Sequence, residues 1–198
     1  MKFSLPLITA MLLATTPAWG ISHTETGDFS DNGLSPNAFV LDPGINVISA
    51  RVGFHPDETV DRDYFSLTVP GGYVLSSLVL GSGTVVGGGA SFVGVQAGPV
   101  MTVDPLSGSP EGLLGWAHYG SAFLGTDILG FMGFGPGSTG YTPPLAAGTY
   151  TFWVQDYSAA LIPYVYEFGV TPVPEPGVVW LMLAGGILLG LSRLKSAD

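Results

Sequence analysis

Period-two alternation is the feature that most restricts this chain. In Asp63-Tyr64-Phe65-Ser66-Leu67-Thr68-Val69, residues Phe65, Leu67 and Val69 share one side of an extended backbone and Ser66 and Thr68 share the other. Residues 149–155 repeat the arrangement. Tyr150, Phe152 and Val154 face one way, and Thr149, Thr151, Trp153 and Gln155 face the other. Tyr164, Tyr166, Phe168 and Val170 mark a last strand in the same manner. Such spacing specifies half-buried strands, whereas a helix would need apolar residues three and four apart. No capped helical pattern of useful length occurs over 21–171. Further strands are predicted at 38–41, 47–52, 91–96, 100–103, 113–119 and 128–134. Pro70-Gly71-Gly72 is a turn signal that predicts a hairpin between 63–69 and 73–80. Residues 104–148 are the least regular and read as long loops or an insertion.

Composition agrees with this pattern. The 30 Gly and 16 Pro punctuate short segments, and charged residues are only 10%, too few for a helix-rich fold. Aromatics at 12% supply enough apolar area for a core, which argues against disorder. Many short strands between Gly and Pro turns make an all-β sandwich the expected architecture, in one domain over 21–171.

The net charge is −10, and residues 21–171 carry 13 acids against two bases, Arg51 and Arg62. A nucleic-acid partner is excluded on this ground, since a phosphate backbone requires a basic face. An anionic polymer or lipid would be repelled unless divalent cations intervened. The absence of Cys removes disulfides, thiol nucleophiles and thiolate metal sites.

Both ends read as targeting segments. Lys2, an apolar run over 5–13 and small residues at Ala18-Trp19-Gly20 form a signal-peptide pattern over 1–20, cut by signal peptidase between Gly20 and Ile21. At the other end, 172–198 begins with a stiff proline-rich stretch. It continues as an apolar run over 177–191 and closes on Arg193 and Lys195. A helix over 177–192 would measure about 24 Å, short of a hydrocarbon core of ~30 Å. Snorkelling of the two cations, local thinning or a transient stay in the inner membrane would reconcile the lengths. Basic residues after the run predict a cytoplasmic C-terminus and an exported remainder.

The order Val-Pro-Glu-Pro, apolar run, basic end resembles the PEP-CTERM sorting signal of exported bacterial proteins. It covers the last 26 residues, with the motif at Pro174, Glu175 and Pro176 and the basic end at Arg193 and Lys195. The resemblance implies an exosortase-like processing enzyme as partner, an exopolysaccharide system, and a destination in the envelope, at the surface or outside the cell. A plain C-terminal membrane anchor is the alternative. A second resemblance lies in Asp61-Arg62-Asp63-Tyr64-Phe65 with its strand and Pro70-Gly71-Gly72, and in Ala147-Gly148-Thr149-Tyr150 with the strand that follows. These look like the opening and closing of the bacterial pre-peptidase C-terminal (PPC) domain. That likeness implies a jelly-roll-like β-sandwich acting as an accessory, non-catalytic module.

Candidate sites are few. Asp57, Glu58, Asp61 and Asp63 crowd one short segment, and hard carboxylate oxygens are what calcium requires. Asp61 and Asp63, two apart on a strand, point the same way. The alternative is a solvated loop whose Asp residues cap the strand start. Asp28, Asp31 and Asn32 form a weaker cluster. No other cofactor is expected. The run Gly81-Ser82-Gly83-Thr84-Val85-Val86-Gly87-Gly88-Gly89 lacks the lysine and helix of a phosphate loop and reads as an inter-strand loop. His23, His55 and His118 have no metal spacing, and no Gly-x-Ser-x-Gly elbow occurs. Trp153, on the face opposite Phe152, is the candidate platform for stacking a sugar ring, unless a covering segment buries it. The reading that follows is an exported, non-catalytic surface or matrix protein associated with exopolysaccharide or biofilm. A carbohydrate-binding module is the alternative, and a secreted hydrolase with an unrecognised site is the third.

Overall fold

The computed structural model describes residues 19–173. The protein is all-β, as the alternation requires. Its strands are β1 (Trp19–Thr24), β2 (Asn37–Val40), β3 (Gly44–Phe54), β4 (Val60–Val69), β5 (Tyr73–Leu80), β6 (Ser91–Ala97), β7 (Gly115–Tyr119), β8 (Gly148–Gln155) and β9 (Ile162–Pro172). They form one curled sheet, a half-barrel, in the order β5-β9-β3-β4-β8-β6-β7. The ladder is antiparallel except that β1 runs parallel to β3 and β2 parallel to β4.

The curl has a corner at β3 and β4. Residues 44–52 of β3 pair with β9, and only Gly53 and Phe54 pair with β4, opposite Asp61 and Val60. One wing therefore carries β1, β3, β9 and β5, and the other carries β2, β4, β8, β6 and β7. Their inner faces meet through the residues that alternation assigned to a core. Phe152 of β8 lies edge-on to Phe168 of β9 at 5.2 Å between ring centroids, and stacks beside Phe65 of β4 at 5.7 Å. The hydroxyls of Tyr119 and Tyr166 meet across the same gap at 2.8 Å. Phe65, Leu67, Val69, Phe152 and Val154 are all buried.

Gly53 makes the corner possible. Its φ of 146° lies where L residues are rare, and a Cβ there would run into the Ala160 carbonyl. Gly53→Ala is expected to cost about 1–3 kcal/mol, read as a lowered midpoint in thermal or urea unfolding. An unchanged midpoint would show that the corner tolerates a side chain.

Three expectations need correction. The β4–β5 hairpin does not form. The turn at 70–72 carries the chain from one wing to the other, where β4 pairs with β8 and β5 with β9. Residues 128–134 are not a strand. Asp127 Oδ1 accepts the Leu78 and Leu129 N–H groups, and the chain turns into a short helix, α1 (Leu129–Met132). Residues 100–103 lie in a covering loop after Pro99, where the Met101 N–H donates to the Gly33 carbonyl.

The start of the described chain is ordered into β1 rather than trailing. Gly20 and Ile21, the residues flanking the expected signal cleavage, sit within that strand, and the Ile21 N–H donates to buried Asn46 Oδ1 at 3.2 Å. The sorting residues Pro174, Glu175, Pro176, Arg193 and Lys195, and most of the signal segment, lie outside the described residues. Among those described, no helix is long and apolar enough to cross a membrane.

Candidate functional site

Two places on the fold gather chemistry, one at the corner and one on the outer face of the β4–β8–β6–β7 wing. At the corner, alternation places Asp61 and Asp63 on the inward face of β4, in line with Phe65. Both are buried, at 1% and 0% exposure. The chain after β1 folds over this end and brings Glu25, Asp28 and Asp31 to them. One ligand atom from each of Asp28, Asp31, His55 and Asp61 lies within 4.8 Å of the others, and Glu25, Asp28 and Asp63 form a second such group. Asp28 belongs to both.

The hydrogen bonds show which oxygens are committed. Glu25 Oε1 accepts the Phe29 N–H at 2.7 Å and its Oε2 accepts the Arg51 N–H at 3.1 Å. Asp31 Oδ1 accepts the Arg62 N–H at 2.9 Å. Asp63 Oδ2 accepts the Tyr164 hydroxyl at 2.7 Å. Among the described residues, Asp61 Oδ1 and Asp63 Oδ1 have no hydrogen-bond partner. Such orphaned buried carboxylate oxygens are costly.

The local field reflects this crowding. Burial, reinforced by the Asp28 and Asp31 charges, pushes Asp61 up to about 7. Burial pushes Asp63 up to about 9, against the lowering effect of the Tyr164 hydroxyl and with repulsion from Asp61 added. Glu25 and Asp28 are raised too, each by burial first. His55 Nε2 stands 4.0 Å from Asp28 Oδ2.

Asp57 and Glu58, expected beside Asp61 and Asp63, lie outside both groups. They lie in the exposed turn between β3 and β4. There Asp57 Oδ1 accepts the Thr59 N–H and hydroxyl, a capping role that holds its carboxyl below the usual range. Glu58 occupies the turn with φ of 64°. The residues that replace them, Glu25 and Asp28 with Asp31, lie some thirty positions upstream. Asp28 and Asp31 were visible in the sequence as a cluster, but nothing in their spacing connected them to Asp61.

On the outer face, Trp153 is on the side that alternation assigned, yet it is not an open platform. It is 6% exposed, packed with Tyr64, Met101, Val103 and Leu113, because the 98–114 segment folds over it. Beside that cover is a cavity of ≈ 220 Å³ lined by Phe92, Trp116, Trp153, His118, Gln155 and Asp104, among others. Phe92 is the centre of this aromatic group, 4.5 Å from Trp153 and 6.1 Å from Trp116 between ring centroids. Trp116 Nε1 donates to the Pro136 carbonyl at 3.1 Å, which fixes its ring. Trp153 Nε1 has no hydrogen-bond partner among the described residues. Phe92, Trp116 and His118 were missed as a set, since each belongs to a different register position of β6 or β7. Only the pairing of Phe92 with His118 and of Gly94 with Trp116 assembles them.

Ser109, His118 and Asp104 all line the cavity, but no hydrogen bond joins them. His118 sits edge-on to Phe92 and Trp116, Asp104 Oδ1 accepts the Leu106 N–H, and Ser109 Oγ accepts the Glu111 N–H. The glycine-rich run does cradle an anion, but one from the chain itself. The Gly87 and Gly88 N–H groups and the Ser91 hydroxyl donate to buried Asp156. Comparison with protein families, with curated proteins and with solved structures finds no match to this chain in any of the three.

Proposed function

We propose that this chain is an exported, non-catalytic module of the cell surface or extracellular matrix that holds a neutral polysaccharide in the cavity beneath the 98–114 segment. The observation that carries the reading is the group Phe92, Trp116 and Trp153 in a cavity of ≈ 220 Å³ with Gln155, Asp104 and His118 around it. Flat aromatic walls suit the apolar face of a sugar ring, and the polar side chains suit its hydroxyls. The acidic chain favours a neutral polymer over an anionic one. Glycoside hydrolysis uses a pair of carboxylates, and Asp104 is the one carboxylate among the residues lining the cavity, which favours holding a sugar over hydrolysing one.

Delivery belongs to the same proposal. Signal peptidase would cut between Gly20 and Ile21. The segment from Pro174 to the basic end at Arg193 and Lys195 would hold the chain in the inner membrane until an exosortase-like enzyme processes it. Between these signals, the sandwich-like domain would follow a jelly-roll plan of the PPC kind. Mass spectrometry of the mature protein tests the route. A C-terminus near Pro174–Pro176 supports it, and an intact tail on the released protein overturns it.

The binding reading is tested by retention of the chain on immobilised neutral polysaccharide. Trp116 is the informative position, since it is only partly buried whereas Trp153 is packed into the fold. Trp116→Ala should weaken retention on the order of tenfold, about 1.4 kcal/mol, with the melting temperature little changed. Retention equal to that of the parent chain would count against the cavity as the sugar site.

A further inference from the structure

We infer that the corner of the half-barrel is a calcium site, formed by Glu25, Asp28 and Asp31 from the segment after β1 and by Asp61 and Asp63 from β4. This does not rest on the sugar reading. Acidic side chains alone would not carry it, since exposed carboxylates gather on many surfaces without an ion. Here two members are removed from solvent, at 1% and 0% exposure, and each keeps one oxygen without any hydrogen-bond partner among the described residues. Each also contributes a ligand atom to one of two groups that share Asp28, Asp61 with Asp31 and His55, and Asp63 with Glu25, and each group converges within 4.8 Å. A fold that buries two carboxylates side by side and leaves an oxygen of each unpaired needs a positive charge there or protons on the acids.

The donor set selects the kind of cation. Across the two groups, which share Asp28, five carboxylates offer hard oxygens from two chain segments, an irregular arrangement that suits calcium, which takes six to eight oxygen ligands at ~2.3–2.6 Å. Magnesium demands near-octahedral geometry and surrenders its water reluctantly. Zinc favours nitrogen and sulfur, and the chain has no Cys and one His at this place. The Tyr164 hydroxyl and the Arg62 N–H each occupy one oxygen of Asp63 and Asp31, and the Phe29 and Arg51 N–H groups occupy one oxygen each of Glu25, which orients these three carboxylates. The segment of Glu25 and Asp28 also lines a groove of ≈ 290 Å³. Bound calcium would tie the chain after β1 to β4 across the corner.

The test uses the full chain, stripped with chelator, then melted and titrated calorimetrically with calcium chloride, magnesium chloride, and sodium chloride at matched ionic strength. Calcium at a hundredfold excess over its dissociation constant should raise the melting temperature by about 5–10 °C. Magnesium and sodium should do much less. Asp28→Asn is the variant least tied to folding, because Asp28 is exposed and, among the described residues, its one ion pair is with His55 at 4.0 Å. It should weaken calcium affinity on the order of tenfold. The double variant Asp61→Asn, Asp63→Asn should melt higher than the parent in chelator and no longer respond to calcium. Three results would each overturn the site: no calcium response up to ~10 mM, an equal response to magnesium or sodium, or an Asp28→Asn response identical to the parent's.

Discussion

Replacing Phe152 by Ala should lower the stability of this protein by about 3–5 kcal/mol, a large share of the ~5–15 kcal/mol typical of a folded domain. Phe152 is fully buried and belongs to both wings. It stacks with Phe65 along its own sheet face and meets Phe168 of the opposing face edge-on. Removing the ring deletes the transfer energy of a large side chain and leaves a void that two converging sheet faces cannot easily close. For a chain of this size the midpoint of thermal unfolding should fall by roughly 10 °C or more. Phe152→Leu keeps part of the volume and should recover part of the loss. If Phe152→Ala melted with the parent, the wings would not be held together through this contact.

In chelator, the protein should also lose stability as the pH rises. Asp61 and Asp63 have ordinary values near 3.8 when unfolded and are raised to about 7 and about 9 when folded. A raised acid binds its proton more tightly in the folded state, so acid pH favours folding. The penalty starts near pH 4, grows as each carboxyl is forced to ionise, and is complete above pH 9. Glu25 and Asp28, raised in the same direction by burial first, add to it. Asp57 opposes it weakly, from the exposed turn. The titratable groups that face the pair are these acids, Asp31, His55 and Tyr164. The tyrosines raised by burial, Tyr164 and Tyr166 among them, act only at still higher pH. The total drop between pH 5 and pH 9 should be on the order of several kcal/mol. Melting curves at pH 5, 7 and 9 in chelator check the sign, and Asp63→Asn should flatten the trend. A midpoint that rises with pH would contradict the buried-carboxylate geometry. Saturating calcium should remove most of the slope, because a cation stabilises the ionised form that burial penalises.

The alternation of Phe65, Leu67 and Val69, of Tyr150, Phe152 and Val154, and of Tyr164 through Val170 determined the strands and their buried faces without help from the rest of the chain. This is a local matter, since successive side chains on an extended backbone must point to opposite sides. The same rule correctly put Asp61 and Asp63 on one face. It could not say which strand lies beside which. A hairpin across Pro70–Gly72 and a crossing between wings satisfy the same pattern, and the crossing wins because it lets β4 pair with β8 and β5 with β9 over full length. Partner choice also decided both candidate sites. Trp153 looked open until the 98–114 segment covered it, and its companions Phe92 and Trp116 became neighbours only through the β6–β7 register. Glu25 and Asp28 lie beside Asp61 and Asp63, while Asp57 caps the turn at 55–59 through Thr59. Period and composition act over a few residues, while a site depends on which faces are brought together, and here only the packed sheet sets that.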